Sequence, residues 1–185
     1  MQFDEVITRR RALRSLGKVE ITSELMQRLT EAASLAASCA NNQPWRFIFV
    51  HEEKTLKALF EALTSGNYWA KKASLMIAVI TQKELDCVIK EREYYLFDTG
   101  MATAHLLLKA TDLGLVAHPM AGFSPAKAKE VLNIPDDMEL ITLIAVGRPQ
   151  QAVDSGLSEK HREQESQRPT RLNVSDFVYF NRYEK

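Results

Sequence analysis

The chain has 185 residues, of which 45% are hydrophobic and 26% charged; 24 Lys+Arg balance 24 Asp+Glu for a formal net charge of +0. That length suits one domain, and the charge balance gives no global electrostatic case for nucleic acid or an acidic membrane surface. A mean hydropathy of -0.23 and the lack of a long apolar run speak against a transmembrane helix. The charged N-terminus has no apolar signal core, so the expected location is cytoplasmic.

Cys39 and Cys87 have no Cys or His partner at metal-ligand spacing, and in a reducing compartment both are expected to be free thiols. His51, His105, His118 and His161 are scattered and build no zinc or iron pattern, so no metal is expected. Neither a G-x-G-x-x-G fingerprint nor a P-loop is present.

In chain order, Phe3, Val6 and Ile7 mark a short amphipathic helix. Arg9, Arg10, Arg11 and Arg14 follow, with Arg10 and Arg14 pointing the same way if this stretch is helical. Such a cluster is either a solvated basic face or an anion site, since the planar guanidinium fork suits phosphate. Thr22 or Ser23 caps a helix whose inward positions include Leu25, Leu29, Ala32, Ala33 and Ala36. The stretch from Ser38 to Phe47 is rich in carboxamides (Asn41, Asn42, Gln43) and lies between that helix and the strand Arg46 to Val50. It suits a planar ligand edge with mixed donors and acceptors, and equally a self-satisfied loop.

A helix is expected over Lys54 to Leu63, a polar turn over Thr64 to Trp69, and a buried strand over Leu75 to Ile80. Lys83 to Lys90 reads as helix, and Glu91 to Leu113 is the longest helical candidate. Its middle, from Thr99 to Ala110, is apolar on nearly every face, which places it in a core centre or a subunit interface. His118 to Phe123 is expected to be a loop, Ser124-Pro125 a helix start, and Glu139 to Val146 a third strong strand. Gln150 to Arg171 is polar with little periodicity, then Val174, Phe177, Val178, Tyr179 and Phe180 return as an apolar anchor. Such an arm docks on its own chain or on a partner. Strands spaced by more numerous helices imply an α/β or α+β sandwich with a central sheet.

Taken together, these motifs resemble the FMN-dependent nitroreductase family. The similarity runs from about Phe3 to Phe180 and rests on Arg10-Arg11-x-x-Arg14, Ser38-x-x-Asn41-x-Gln43-Pro44-Trp45-Arg46-Phe47, Asp98-x-Gly100 before an Ala- and Leu-rich helix, Pro119-x-x-Gly122-Phe123, and a strand ending at Gly147. The resemblance implies one α+β domain over residues 1–185, with a central mixed or antiparallel sheet flanked by helices. It also implies an intertwined homodimer whose C-terminal arm, from about residue 150, crosses to the partner, and FMN at the interface.

On this resemblance Arg10, Arg11 and Ala12 stand where the family holds the FMN phosphate and ribityl chain. Arg14 stands near the pyrimidine end, and Arg171, with Arg168 as second choice, on the phosphate. Ser38, Cys39 and Asn41 resemble the segment reaching the flavin of the other subunit, Asn67 the amide on the pyrimidine edge, and Pro119, Met120, Ala121 and Gly122 the loop over the ring. Gln43 is expected to support its loop. No protein nucleophile or general acid is implied, because the chemistry belongs to the flavin.

The implied activity is hydride transfer from NADH or NADPH through FMN to a small acceptor, nitroaromatic or quinone, by ping-pong turnover. Alternatives are another flavin reaction on this fold (dehalogenation, enone reduction, flavin breakdown), a flavin-storage protein, or a non-flavin interaction module. Three departures from the family pattern stand out: Ala37 in place of a proline, Ala12 in place of a serine, and Ala121 in place of an acidic residue.

Overall fold

The computed structural model describes residues 1–183. Its elements are α1 (Phe3–Arg9), β1 (Leu16–Gly17), α2 (Ser23–Ser34), β2 (Arg46–Val50), α3 (Glu53–Phe60), β3 (Leu75–Thr81), β4 (Val88–Ile89), β5 (Arg92–Glu93), α4 (Tyr95–Asp112), β6 (Val116–Met120), α5 (Pro125–Leu132), β7 (Glu139–Pro149) and α6 (Glu159–Ser166). Short 3-10 turns at Cys39–Asn41 and Ser65–Lys72 bracket the first half of the sheet.

The central sheet has five strands and every pairing in it is antiparallel. β7 is its spine. One edge of β7 pairs with β3, which in turn pairs with β2, while β6 and then β1 bond along the remainder. Strand β3 is buried from end to end because helices cover both faces. Side chains alternate across a strand. Leu75, Ile77 and Val79 therefore join Leu29 and Ala33 of α2 and Ala102, Leu106 and Ala110 of α4 on one face. Met76, Ala78 and Ile80 join Leu56 and Leu59 of α3, Ala128 of α5 and Trp69 on the other. The result is a three-layered α+β sandwich.

Local signals fix the helix ends. The Thr22 hydroxyl accepts from the Leu25 N–H at 3.1 Å and caps α2. Ser124 caps α5 with Pro125 in its first turn, and Asn133 closes it in the left-handed conformation at φ 52°.

Three expectations are corrected. Residues 83–90 are not a helix. A single turn, Lys83–Leu85, precedes the β4–β5 hairpin, whose bend places Lys90 at φ 59°. Helix formers dominate that stretch, but no apolar stripe is present to pack a helix there. His118 and Pro119 belong to β6 rather than to a loop. Only one edge of β6 pairs, so the proline needs no ladder N–H. The longest helix starts at Tyr95, because residues 91–93 close the hairpin.

The C-terminal arm divides in two. From β7 through α6 it folds back onto its own chain, with Leu157 and Glu165 buried. The Gln150 N–H donates to the Ser15 carbonyl at 3.1 Å, and the Asp154 N–H to the Ser15 hydroxyl at 3.0 Å. Beyond Arg171 the apolar side chains are uncovered: Phe180 is 84% exposed and Phe177 58%. Helix α4 likewise faces the sheet through Ala102, Leu106 and Ala110 but leaves Phe97 65% exposed.

Candidate functional site

The residues expected to form one site occur in three groups. The first is a cavity of about 230 Å³ that gathers Arg10, Arg11, Ala12, Arg14, Arg168 and Arg171, with His118, Gln164 and Pro169 completing its wall. The segment carrying the first four residues is extended rather than helical, running from the end of α1 to β1. Arg11 is oriented by two carbonyls, those of Gln164 at 3.0 Å and Gln167 at 2.8 Å. Arg168 donates to the carbonyls of Thr8 and of Arg10. The Arg14 guanidinium lies 5.9 Å above the Trp69 ring, within cation–π range.

Among the described residues, none of these five arginines makes a salt bridge to a carboxylate. Burial pushes the Arg10 guanidinium below its ordinary range, and the charges of Arg168 and Arg171 add to that. A crowd of cations without a salt-bridged carboxylate has the charge that suits an anion.

The position of this segment rests on a residue that sequence reasoning missed. Both carboxylate oxygens of Glu165 are engaged by backbone donors, the Arg14 N–H at 2.7 Å and the Ser15 N–H at 3.1 Å. α6 is thereby fastened to the arginine segment. No sequence pattern marks this, since α6 packs through a carboxylate instead of an apolar stripe.

His118 was also missed, although it adjoins the Pro119 motif. Its Nδ1 lies 3.0 Å from the Leu13 carbonyl, and its ring lies 4.4 Å from that of Trp69. Burial pushes its pKa down to about 4, opposed by the Leu13 hydrogen bond and reinforced by Arg14. The folded chain therefore keeps this imidazole neutral while the unfolded chain protonates it near pH 6.5. Its contribution is complete above pH 6.5 and declines as pH falls towards 4, by on the order of 3 kcal/mol. Thermal melts from pH 7.5 to 4.5 should show this decline in the wild type and a smaller one in His118→Gln.

The second group lies at the loop after β6. The Gly122 carbonyl accepts three donors: the Thr64 N–H at 3.0 Å, the Thr64 hydroxyl at 2.9 Å and the Asn67 side-chain amide at 2.8 Å. A Cβ on Gly122 would stand 2.6 Å from the Thr64 Oγ1 and 2.7 Å from the Asn67 Nδ2. Gly122→Ala should thus cost about 1–3 kcal/mol, since the colliding groups are the ones that hold the loop. A melting point equal to that of wild type would disprove this. Met120 is a core residue whose N–H and carbonyl are both taken by the Thr142 hydroxyl, at 3.1 and 2.9 Å. Its neighbours Pro119 and Ala121 sit at the end of β6 and just past it.

The third group is the carboxamide stretch. Ser38 accepts from the Gln43 N–H at 3.0 Å, and the Gln43 side chain donates to the carbonyl and side-chain oxygens of Asn41, each at 3.3 Å. Gln43 thus supports its own loop. The Cys39 N–H donates to Asp98 at 2.6 Å. Cys39 is also joined to Cys87 in a disulfide, which overturns the expectation of two free thiols. The pair is 48 residues apart, and only the docking of the β4–β5 hairpin against this loop brings the sulfurs together. Neither Ser38, Cys39 and Asn41 nor Asn67 and Gly122 line the arginine cavity of the same chain.

Comparison with known proteins supplies a family. The nitroreductase family profile matches residues 7–148, more than half of the chain. A protein of Archaeoglobus fulgidus, provisionally named an NADH dehydrogenase/NAD(P)H nitroreductase, is 30% identical over 155 residues, covering 81% of this chain and 87% of the relative. An NADH dehydrogenase of Thermus thermophilus is 27% identical over 172 residues, covering 76% and 83%. Among solved structures, one described as an oxidoreductase containing FMN superposes with a TM-score of 0.86 at 29% identity, covering 98% of this chain and 92% of that one. A nitroreductase family protein from Clostridium novyi NT gives 0.75 at 28%, covering 82% and 87%. With the profile spanning the Arg10–Arg14 segment, the carboxamide loop, Gly122 and the five-stranded sheet up to Arg148, the chain belongs to the nitroreductase family.

Proposed function

We propose that this protein is an FMN-dependent oxidoreductase that takes reducing equivalents from NADH or NADPH and delivers them to a small acceptor, a nitroaromatic or a quinone. The observation that carries the reading is the cavity of five arginines, none of which has a carboxylate partner among the described residues. Its charge and planar donors fit a phosphate monoester. Arg10, Arg11, Arg168 and Arg171 would hold that phosphate, and Arg14, packed on Trp69, would lie towards the ring end. Bound FMN supplies the hydride chemistry. The chain's part is to bind, orient and leave one face open, so that donor and acceptor use the same opening in turn.

The functional unit in this reading is a homodimer. Two observations support it. Of the candidate groups only the first lines the arginine cavity, as expected if the site is completed by a second copy. The apolar tail around Phe177 and Phe180, and Phe97 on α4, stand uncovered in the single chain. Such uncovered apolar surfaces suit a second copy of the chain.

The test is an anaerobic titration of FMN-loaded protein with NADH and NADPH, followed by nitroaromatic and quinone acceptors. Bleaching by a nicotinamide and recovery on adding an acceptor is the expected result. Failure to take up FMN would overturn the reading, and uptake without bleaching would instead favour a flavin-storage protein.

A further inference from the structure

We propose that Cys39 and Cys87, with the carboxyl groups of Asp86 and Asp98 beside them, form a thiol–disulfide exchange site for low-molecular-weight thiols. The disulfide is not a staple of the core. It ties the carboxamide loop to a hairpin of two residues per strand, and both cysteines are only half-buried. Val88 and Ile89, next to Cys87, are exposed, so a small thiol can reach the bond from the hairpin side.

The second observation is the carboxyl pair. Asp98 is 2% exposed at the start of α4, and its Oδ2 accepts from the Cys39 N–H at 2.6 Å. The Oδ2 of Asp86 is buried without a donor. The Asp86 Oδ1 accepts from the Cys87 N–H at 2.8 Å, so each cysteine N–H donates to one of the two carboxylates, and two neighbouring carboxylates disfavour each other's ionised form. In line with this, burial raises the Asp98 pKa against the effect of the Cys39 N–H, and Asp86 raises it further. A carboxyl oxygen of Asp86 and the two Sγ atoms all lie within 4.8 Å of one another. A carboxyl group able to relay protons thus sits beside the bond whose reduction consumes them.

The third observation is the backbone. Ala40, Asn41 and Gln43, directly after Cys39, lie at φ 50°, 60° and 51°. Three non-glycine residues in the left-handed region persist only where the surroundings hold them. The Cys39 anchor, with the bonds of Ser38 and Asp98, provides that hold.

The exchange balances as follows. A thiolate attacks Cys87 Sγ, the Sγ–Sγ bond breaks, and the electron pair leaves on Cys39 Sγ, which is protonated from solvent with the Asp86 carboxyl as relay. A second thiolate then attacks the mixed disulfide and releases Cys87 as a thiolate, which is protonated from solvent. Two thiols are oxidised to one small disulfide, and Cys39 and Cys87 are reduced by two electrons. Asp86 acts on the reacting sulfur as the relay, while Asp98 positions Cys39 through its N–H.

The test uses the full chain and reduced glutathione as probe, with acid quenching, alkylation and mass measurement of free thiols. The native wild type should go from no free thiol to two, and return on adding oxidised glutathione. Cys39→Ser should trap Cys87 as a mixed disulfide with oxidised glutathione. Asp86→Asn should slow reduction at least fivefold, and Asp86→Glu should restore most of the rate. A bond that opens only in denaturant would overturn the proposal. So would Asp86→Asn exchanging at the wild-type rate while its circular dichroism is unchanged. No flavin readout is involved, so the outcome is independent of the proposed oxidoreductase activity.

Discussion

Arg10→Ala should weaken FMN binding about 10- to 100-fold, while Lys129→Ala leaves it unchanged. A charge-assisted hydrogen bond to phosphate is worth about 1.5–3 kcal/mol, and each 1.4 kcal/mol is about tenfold. Arg10 sits at the upper part of that range because its desolvation is already present in the fold, with Arg168 and Arg171 adding repulsion that a dianion relieves. Lys129 donates to the Asp136 carbonyl at 3.0 Å and does not line the arginine cavity. The same reasoning gives a second signature. Removing one of several mutually repelling cations should leave the flavin-free protein as stable as wild type or slightly more so. Fluorescence titration of FMN and a melt of the apoprotein measure the two quantities. Equal losses of affinity in both variants would sink the phosphate assignment.

Glu165→Ala should lower stability by about 2–5 kcal/mol, because it leaves the Arg14 and Ser15 N–H groups buried without an acceptor. For a chain of this size that is about 4–20 °C in melting temperature. Glu165→Gln keeps one acceptor oxygen and should lose roughly half as much. The effect should reach the cavity as well. The carbonyls of Gln164 and Gln167 at the end of α6 orient Arg11, so loosening α6 also loosens an arginine. FMN affinity should therefore fall in Glu165→Ala although Glu165 touches no ligand in the proposed arrangement. A melt unchanged from wild type would show that α6 is held by other contacts.

These two residues also mark what could be read from the chain. β3 and β7 were legible because continuous apolar runs have one use in a soluble domain, burial on both faces. The caps at Thr22 and Ser124 were legible because capping chemistry is local. The arginines of the cavity were legible as a cluster plus a late partner, since charge of one sign without neighbours to balance it is visible in a linear string.

What stayed hidden depends on long-range docking. Glu165 reads as one more acidic residue in a polar segment until two N–H groups, 151 and 150 positions away, meet it. The hairpin at Val88 to Glu93 reads as helix because its residues are helix formers and its turn uses Lys90 instead of glycine. Cys39 and Cys87 read as unrelated thiols because nothing in their spacing encodes the contact between loop and hairpin.

The arginine cavity has a kinetic consequence that the overall charge conceals. A chain with formal net charge +0 should feel no attraction to an anion at a distance, yet five of its cations crowd one opening. Near the mouth of the cavity the local field is that of this cluster, not of the net charge. Anions should be drawn in along one direction, and their capture rate should fall as salt shortens the Debye length to about 8 Å at physiological ionic strength. Release, governed by contacts inside the cavity, should respond far less.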